Sequence, residues 1–206
     1  MKLAILGANG RTGQELVRQA LRRGHHVVAL MRDPAQSRLA PQAQLQLVRV
    51  DAFDPASLRQ AITPDVTVLS ALGTVKGGPL GVLDAGARAC VAARPARILW
   101  LGAFGTGASA QVGGWAVRTL LGLALRRDLP DKVAADSRVL SAGGTVFHAG
   151  PLSNRPISAA RRAVGLAQIP ARFFPASISR ATVAAAMLDE AEAPKFAGRV
   201  AVPLEG

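Results

Sequence analysis

The chain contains no tyrosine, a single cysteine (Cys90), eight aromatic residues among 206, and 13 acidic residues against 25 basic ones. Each shortage excludes something. Without tyrosine there is no phenolic proton donor. One cysteine permits neither an intramolecular disulfide nor a multi-cysteine metal site, so no metal is expected and the cytoplasm is the expected compartment. The formal charge of +12 invites a nucleic-acid reading, because basic surfaces attract phosphate. The basic pairs Arg22–Arg23, Arg126–Arg127 and Arg161–Arg162 are scattered, however, and the aromatics are too few for a stacking platform. No nucleic-acid partner is expected. No apolar run reaches the roughly 20 residues that span a bilayer. Residues 112–125, "VGGWAVRTLLGLAL", come nearest but are short and carry Arg118. The opening apolar run is brief before its glycines, so neither a secretory signal nor a membrane partner is expected.

What remains is half hydrophobic, enough for a sound core in one domain over 1–206 with a small substrate-side portion from about 150. Short apolar runs alternate with segments of helical spacing. The strands expected are 2–6, 26–31, 45–50, 66–70, 97–101, 144–148 and 199–204, with a last helix from Arg180 to about Glu192 capped by Ser179. Continuous apolar strands separated by helices predict an α/β fold, a single doubly wound parallel sheet of Rossmann type with helices on both faces.

Directly after the first strand stands "GANGRTG" (7–13), with a helix expected to open near Thr12 or Gly13. A helix N-terminus presents unsatisfied N–H groups and a positive dipole, which together suit a diphosphate. Gly7 serves the tight turn, Gly10 the close approach and Gly13 the packing of helix on strand. The second strand ends "ALMRDP", placing Arg32 where an adenine ribose would lie. A guanidinium there, with Arg11 and Arg38, suits the 2′-phosphate of NADP. Asp33 in the NAD role, and Arg32 as plain surface charge, are the alternatives.

These residues resemble the atypical short-chain dehydrogenase/reductases, in particular the small NAD(P)H-binding proteins related to flavin and biliverdin-IXβ reductase and to NmrA-like regulators. The likeness rests on "GANGRTG", "VALMRDP", "VDAFDPASL" (50–58), "SALGT" (70–74), "LGAF" (101–104), "TVFHAGPLSN" (145–154) and "SISRATVAAAML" (177–188). It implies that Asn9, Arg11 and Thr12 join the loop glycines at the cofactor. It further implies that Asp51 and Ala52 contact adenine, and that Ser70, Ala71, Leu72 and Gly73 line the ribose and nicotinamide side, with Gly102 on the substrate side. Lys132 falls where relatives keep the lysine of a Tyr-x-x-x-Lys dyad, holding the nicotinamide ribose. The chain departs from that pattern in four places: Asp128 for the tyrosine, Gly102 for a serine of the flavin-reductase branch, His148-Ala149-Gly150 for Arg-Pro-Gly, and Thr182 for an aspartate.

Two functions follow as expectations. One is an NADP(H)-dependent reductase passing hydride to a flavin, quinone or similar small-molecule acceptor, as monomer or homodimer. Hydride transfer needs only geometry, and such acceptors take their proton from solvent. Lys132 and His148 are the candidate catalytic side chains; a satisfied core histidine is the alternative for His148, and a solvated helix face for Lys132, Asp128, Asp131 and Asp136. The other is a non-enzymatic NADP(H)-binding sensor or assembly factor. Trp115, Leu120, Leu121 and Leu125 fit an apolar lid, a subunit interface, a membrane contact or ordinary helix burial. Cys90 reads as inert packing.

Overall fold

The computed structural model describes residues 1–75, 77–112, 127–170 and 176–205. The segment with Trp115, Leu120, Leu121 and Leu125 therefore lies outside the described residues. The first half alternates strand and helix except between β2 and β3, which are joined by a loop with one short 3-10 turn: β1 (Lys2–Leu6), α1 (Arg11–Arg22), β2 (His26–Met31), β3 (Leu45–Arg49), α2 (Pro55–Ala61), β4 (Thr67–Ser70), α3 (Val82–Ala93) and β5 (Arg97–Ala103). The second half adds α4 (Leu129–Ser141), β6 (Thr145–Ala149), β7 (Leu152–Ser153), β8 (Arg162–Gly165), β9 (Ile178–Ser179), α5 (Arg180–Glu192) and β10 (Val200–Leu204).

The main sheet has the order β3-β2-β1-β4-β5-β6-β10-β8. All its pairs are parallel except β10 with β8. Successive side chains of a strand point to opposite faces, and the strands here are apolar on both. Leu3, Ile5, Leu69, Leu99 and Phe147 face α1 and α5, while Ala4, Leu6, Val68, Trp100 and Val146 face α2, α3 and α4. The result is the doubly wound α/β sheet expected from the alternation of runs.

The seven expected strands are all present, and α5 begins at Arg180 with Ser179 Oγ accepting from the Thr182 N–H. Three differences have local causes. α1 opens at Arg11, earlier than Thr12, with Gly10 at the capping position. β5 runs two residues beyond Leu101, because Gly102 and Ala103 continue the ladder with His148 and Ala149. The short strands β7, β8 and β9 were not anticipated: β8 closes the sheet antiparallel against β10, and β7 pairs with β9 in a separate two-stranded sheet. No helix among the described residues is long and apolar enough to cross a membrane.

Candidate active site

Strand order reverses between β1 and β4, and in open α/β sheets the crevice beyond the strand ends at such a switch point is where ligands bind. A cleft of about 780 Å³ opens there. One wall is the turn between β1 and α1. Gly7 takes a positive φ of 76°, and a Cβ on it would lie 2.9 Å from the Ala71 carbonyl oxygen. Gly13 stands behind it on α1, against the same turn. No side chain caps α1 and its first turn holds no acidic residue. Its N-terminal N–H groups therefore open toward the cleft with the positive end of the helix dipole. That arrangement fits a diphosphate and leaves no carboxylate to oppose one.

Most of the expected residues converge on this cleft. Gly7, Asn9, Gly10, Arg11 and Thr12 line it from the loop, Arg32, Asp51 and Ala52 from the ends of β2 and β3, and Ala71, Leu72 and Gly73 from the end of β4. Gly102 and Lys132 line the far side. Gly13, Ser70, Arg38 and His148 are not on its wall. Gly13 acts through packing, and Ser70, buried, accepts from the Leu72 N–H at 3.3 Å, shaping the turn that carries Ala71 and Gly73. Arg38 is tied by its main chain, its N–H donating to Asn9 Oδ1 at 3.3 Å, while Asn9 Nδ2 donates to the Gln36 carbonyl at 3.1 Å. Asn9 thus pins the loop after β2 to the glycine turn. Asp33 caps its own short turn, accepting from the Ala35 N–H at 3.0 Å and Gln36 Nε2 at 2.8 Å. Its neighbour Arg32 is on the cleft wall with no carboxylate partner among the described residues.

His148 requires a correction. Of its two readings, the imidazole facing the acceptor gives way to the satisfied core histidine, because the ring, on β6 beside Gly102 of β5, is fully buried. Its Nδ1 lies 2.6 Å from Ser109 Oγ and its Nε2 3.0 Å from Asp136 Oδ2. The carboxylates for which a solvated helix face was the alternative are engaged. Asp128 accepts from Thr74 Oγ1 at 2.9 Å, and Asp131 caps α3 by accepting from the N–H groups of Leu83 (3.0 Å) and Asp84 (2.7 Å). Asp136 is buried, and its Oδ1 has no hydrogen-bond partner among the described residues. Ser109 and Asp136 had no local signal in the sequence; only the pairing of β5 with β6 under α4 brings them to His148.

This buried array explains why residue 102 is glycine. A Cβ there would sit 2.9 Å and 3.0 Å from the two Asp136 carboxylate oxygens and 3.0 Å from His148 Cδ2. The carboxylate occupies space that a serine at position 102 would need. Gly102→Ala is expected to lower stability by about 1–3 kcal/mol through overpacking, measured by thermal melting. Gly73→Ala, with open space around it, is expected to leave the melting temperature nearly unchanged.

Cys90 is fully buried on the inner face of α3, and burial pushes its thiol up to about 12. The thiolate is the reactive form. Iodoacetamide at pH 8 is therefore expected to leave the native protein unlabelled and to alkylate it after denaturation.

A parallel sheet with a glycine turn and an uncapped helix at its switch point defines a dinucleotide-binding Rossmann fold. The model of a family of NAD(P)H-binding proteins matches residues 7–194, and the chain belongs to that family. Among curated proteins it is similar to the uncharacterized protein YwnB of Bacillus subtilis (strain 168), 29% identical over 110 residues. That alignment covers 52% of this chain and about half (49%) of the relative. Among solved structures, it superposes on ChuY, an anaerobillin reductase from Escherichia coli O157:H7, with a TM-score of 0.77 at 20% identity, covering 100% of this chain and 97% of that one. The oxidoreductase ylbE from Lactococcus lactis gives a TM-score of 0.80 at 18% identity over 100% and 91% of the two chains. A short-chain dehydrogenase/reductase from Veillonella parvula DSM 2008, solved in complex with NADP, gives 0.78 at 18% identity over 99% and 94%. At these identities the structural likeness speaks for the fold.

Proposed function

We propose that the protein is an NADP(H)-dependent reductase that passes hydride to a flavin, quinone or similar conjugated acceptor, working in the cytoplasm as a monomer or homodimer. In this reading residues 1–206 form one nucleotide-binding unit, with residues from about 150 on the acceptor side. The observation that carries it is the uncapped start of α1 opening onto a cleft whose wall holds Arg11, Arg32, Lys132 and Arg180 against one carboxylate, Asp51.

The N–H groups of the glycine turn hold the diphosphate. Arg32, with Arg11 on the same cleft wall, would hold the 2′-phosphate. Asp51 and Ala52 bound the adenine, and Asp51 Oδ1 is already steadied by the Phe53 N–H at 2.9 Å. Ala71, Leu72 and Gly73 would line the nicotinamide side, and Lys132 would bind its ribose. Bound there, NADPH supplies the hydride. Leu101, Gly102, Ala103 and Leu152 form the wall against which an acceptor ring lies and exclude water from it. The reduced ring takes its proton from solvent, since His148 is sealed away from the cleft.

The sealed His148 and the absent tyrosine also favour a second reading, a non-enzymatic NADP(H)-binding sensor or assembly factor acting through a protein partner. NADPH oxidation, followed by its absorbance against a panel of flavins, quinones and enones, separates the two. Turnover with flavins or quinones is expected. Tight NADPH binding without turnover on any acceptor establishes the second reading instead.

A further inference from the structure

The acceptor end of the cleft holds two cations from opposite helical layers. Lys132 reaches it from the first turns of α4, which packs on α3; Arg180 reaches it from the first residue of α5, which packs on α1 across the sheet. Arg180 Nη1 donates to the Asn154 Oδ1 at 2.8 Å and to the Leu152 carbonyl at 3.3 Å. Both partners are neutral. They fix the guanidinium in place without balancing its charge.

No carboxylate lies within 4 Å of it to balance that charge. All 13 acidic residues lie among the described residues, and the undescribed segments contain neither Asp nor Glu. The acidic residues flanking the two cations are committed elsewhere. Asp128 and Asp131 serve Thr74 and the start of α3, and Asp136 holds His148. Glu205, which accepts from the N–H of Ser179 at 2.7 Å beside Arg180, is taken by Arg155 at 2.6 Å. Asp189 and Glu192, further along α5, pair with Arg23. Asp51, the one carboxylate on the cleft wall, stands at the adenine end. A half-buried guanidinium with fixed geometry and no counter-ion is a ready site for a carboxylate or phosphate, which it binds through paired hydrogen bonds.

We infer that Arg180 anchors an anionic group carried by the acceptor, so that the acceptor class is a conjugated ring bearing a carboxylate or phosphate on a flexible arm. The ring lies on Leu101, Ala103 and Leu152, and the arm reaches Arg180, with Lys132 adding positive potential from the other side. This rests on the reading above for which end of the cleft receives the acceptor.

The test is ligand binding with NADP⁺ present, using pairs that differ only in charge: FMN against riboflavin, and a naphthoquinone with a propionate arm against its methyl ester. The charged member of at least one pair is expected to bind about 10-fold tighter or more, as charge-assisted hydrogen bonds allow. A preference within the first pair assigns phosphate, and within the second carboxylate. Arg180→Gln, which keeps amide donors toward Leu152 and Asn154, should bring the ratio to near one. Arg180→Lys should restore part of it, with NADP⁺ affinity and melting temperature close to wild type in both variants. Ratios near one in the wild type, ratios unchanged in Arg180→Gln, a parallel loss of NADP⁺ affinity, or no binding by any of the four probes would each overturn the inference. Charge-selective binding without NADPH turnover leaves it standing while removing the reductase reading. Turnover without charge preference does the reverse.

Discussion

Gly13→Ala is expected to abolish nucleotide binding and to lower the melting temperature sharply. A Cβ at residue 13 would lie 2.1 Å from the Gly7 carbonyl oxygen, 2.8 Å from Ala8 Cα and 2.8 Å from the Gly7 carbonyl carbon. All three are backbone atoms, so no side-chain rotation relieves the contact. Nor can the turn retreat. Gly7 is held at positive φ against Ala71 and Leu72, and its N–H donates to the Leu30 carbonyl at 3.2 Å. The strain must therefore move α1 away from the turn, at a cost of about 3 kcal/mol or more, the upper end for overpacking. The same movement takes the uncapped N–H groups out of line with the diphosphate. Gly10→Ala, whose Cβ would meet the Gly7 oxygen at 3.2 Å, should be milder in stability. Thermal melting and a fluorescence titration with NADPH check both. A Gly13→Ala protein that melts and binds like wild type would show that the turn is not packed as described.

Arg32→Ala is expected to weaken NADPH binding by about 1–3 kcal/mol, roughly 5- to 150-fold, while leaving NADH nearly unchanged. The charge lies on the cleft wall without a carboxylate partner among the described residues, so it is available to a 2′-phosphate. Asp33, the alternative ribose contact, is occupied by Ala35 and Gln36. The difference between the two nucleotides should shrink in high salt, as it does for partly exposed charges. Titration of both nucleotides into wild type and variant decides the matter. Equal losses for NADPH and NADH would remove the 2′-phosphate assignment.

Much of the fold was legible because its signals are local. β1, β2 and α5 appear as apolar periodicity between recognisable ends, and the glycine turn announces itself by spacing directly after a strand. β7 and β9 carried no such signal: each is two residues long, and they pair across 26 positions of chain, as Leu152 with Ile178. Nor did Asp136 differ, in sequence, from a helix residue facing water.

The amino-acid sequence by itself determined the alternation of apolar strands and helices, the glycine turn directly after β1 and the place of Arg32 at the end of β2, since each follows from backbone sterics and side-chain period within about 30 residues. Only the tertiary structure decided that His148 is sealed by Ser109 and Asp136, and that Arg180 lacks a counter-ion. Those facts depend on how a scarce set of carboxylates is shared between distant elements, as when Arg97 meets Glu190 across 93 positions. Charge neutralisation acts through space, and a linear reading cannot see which pairs the packing brings within 4 Å.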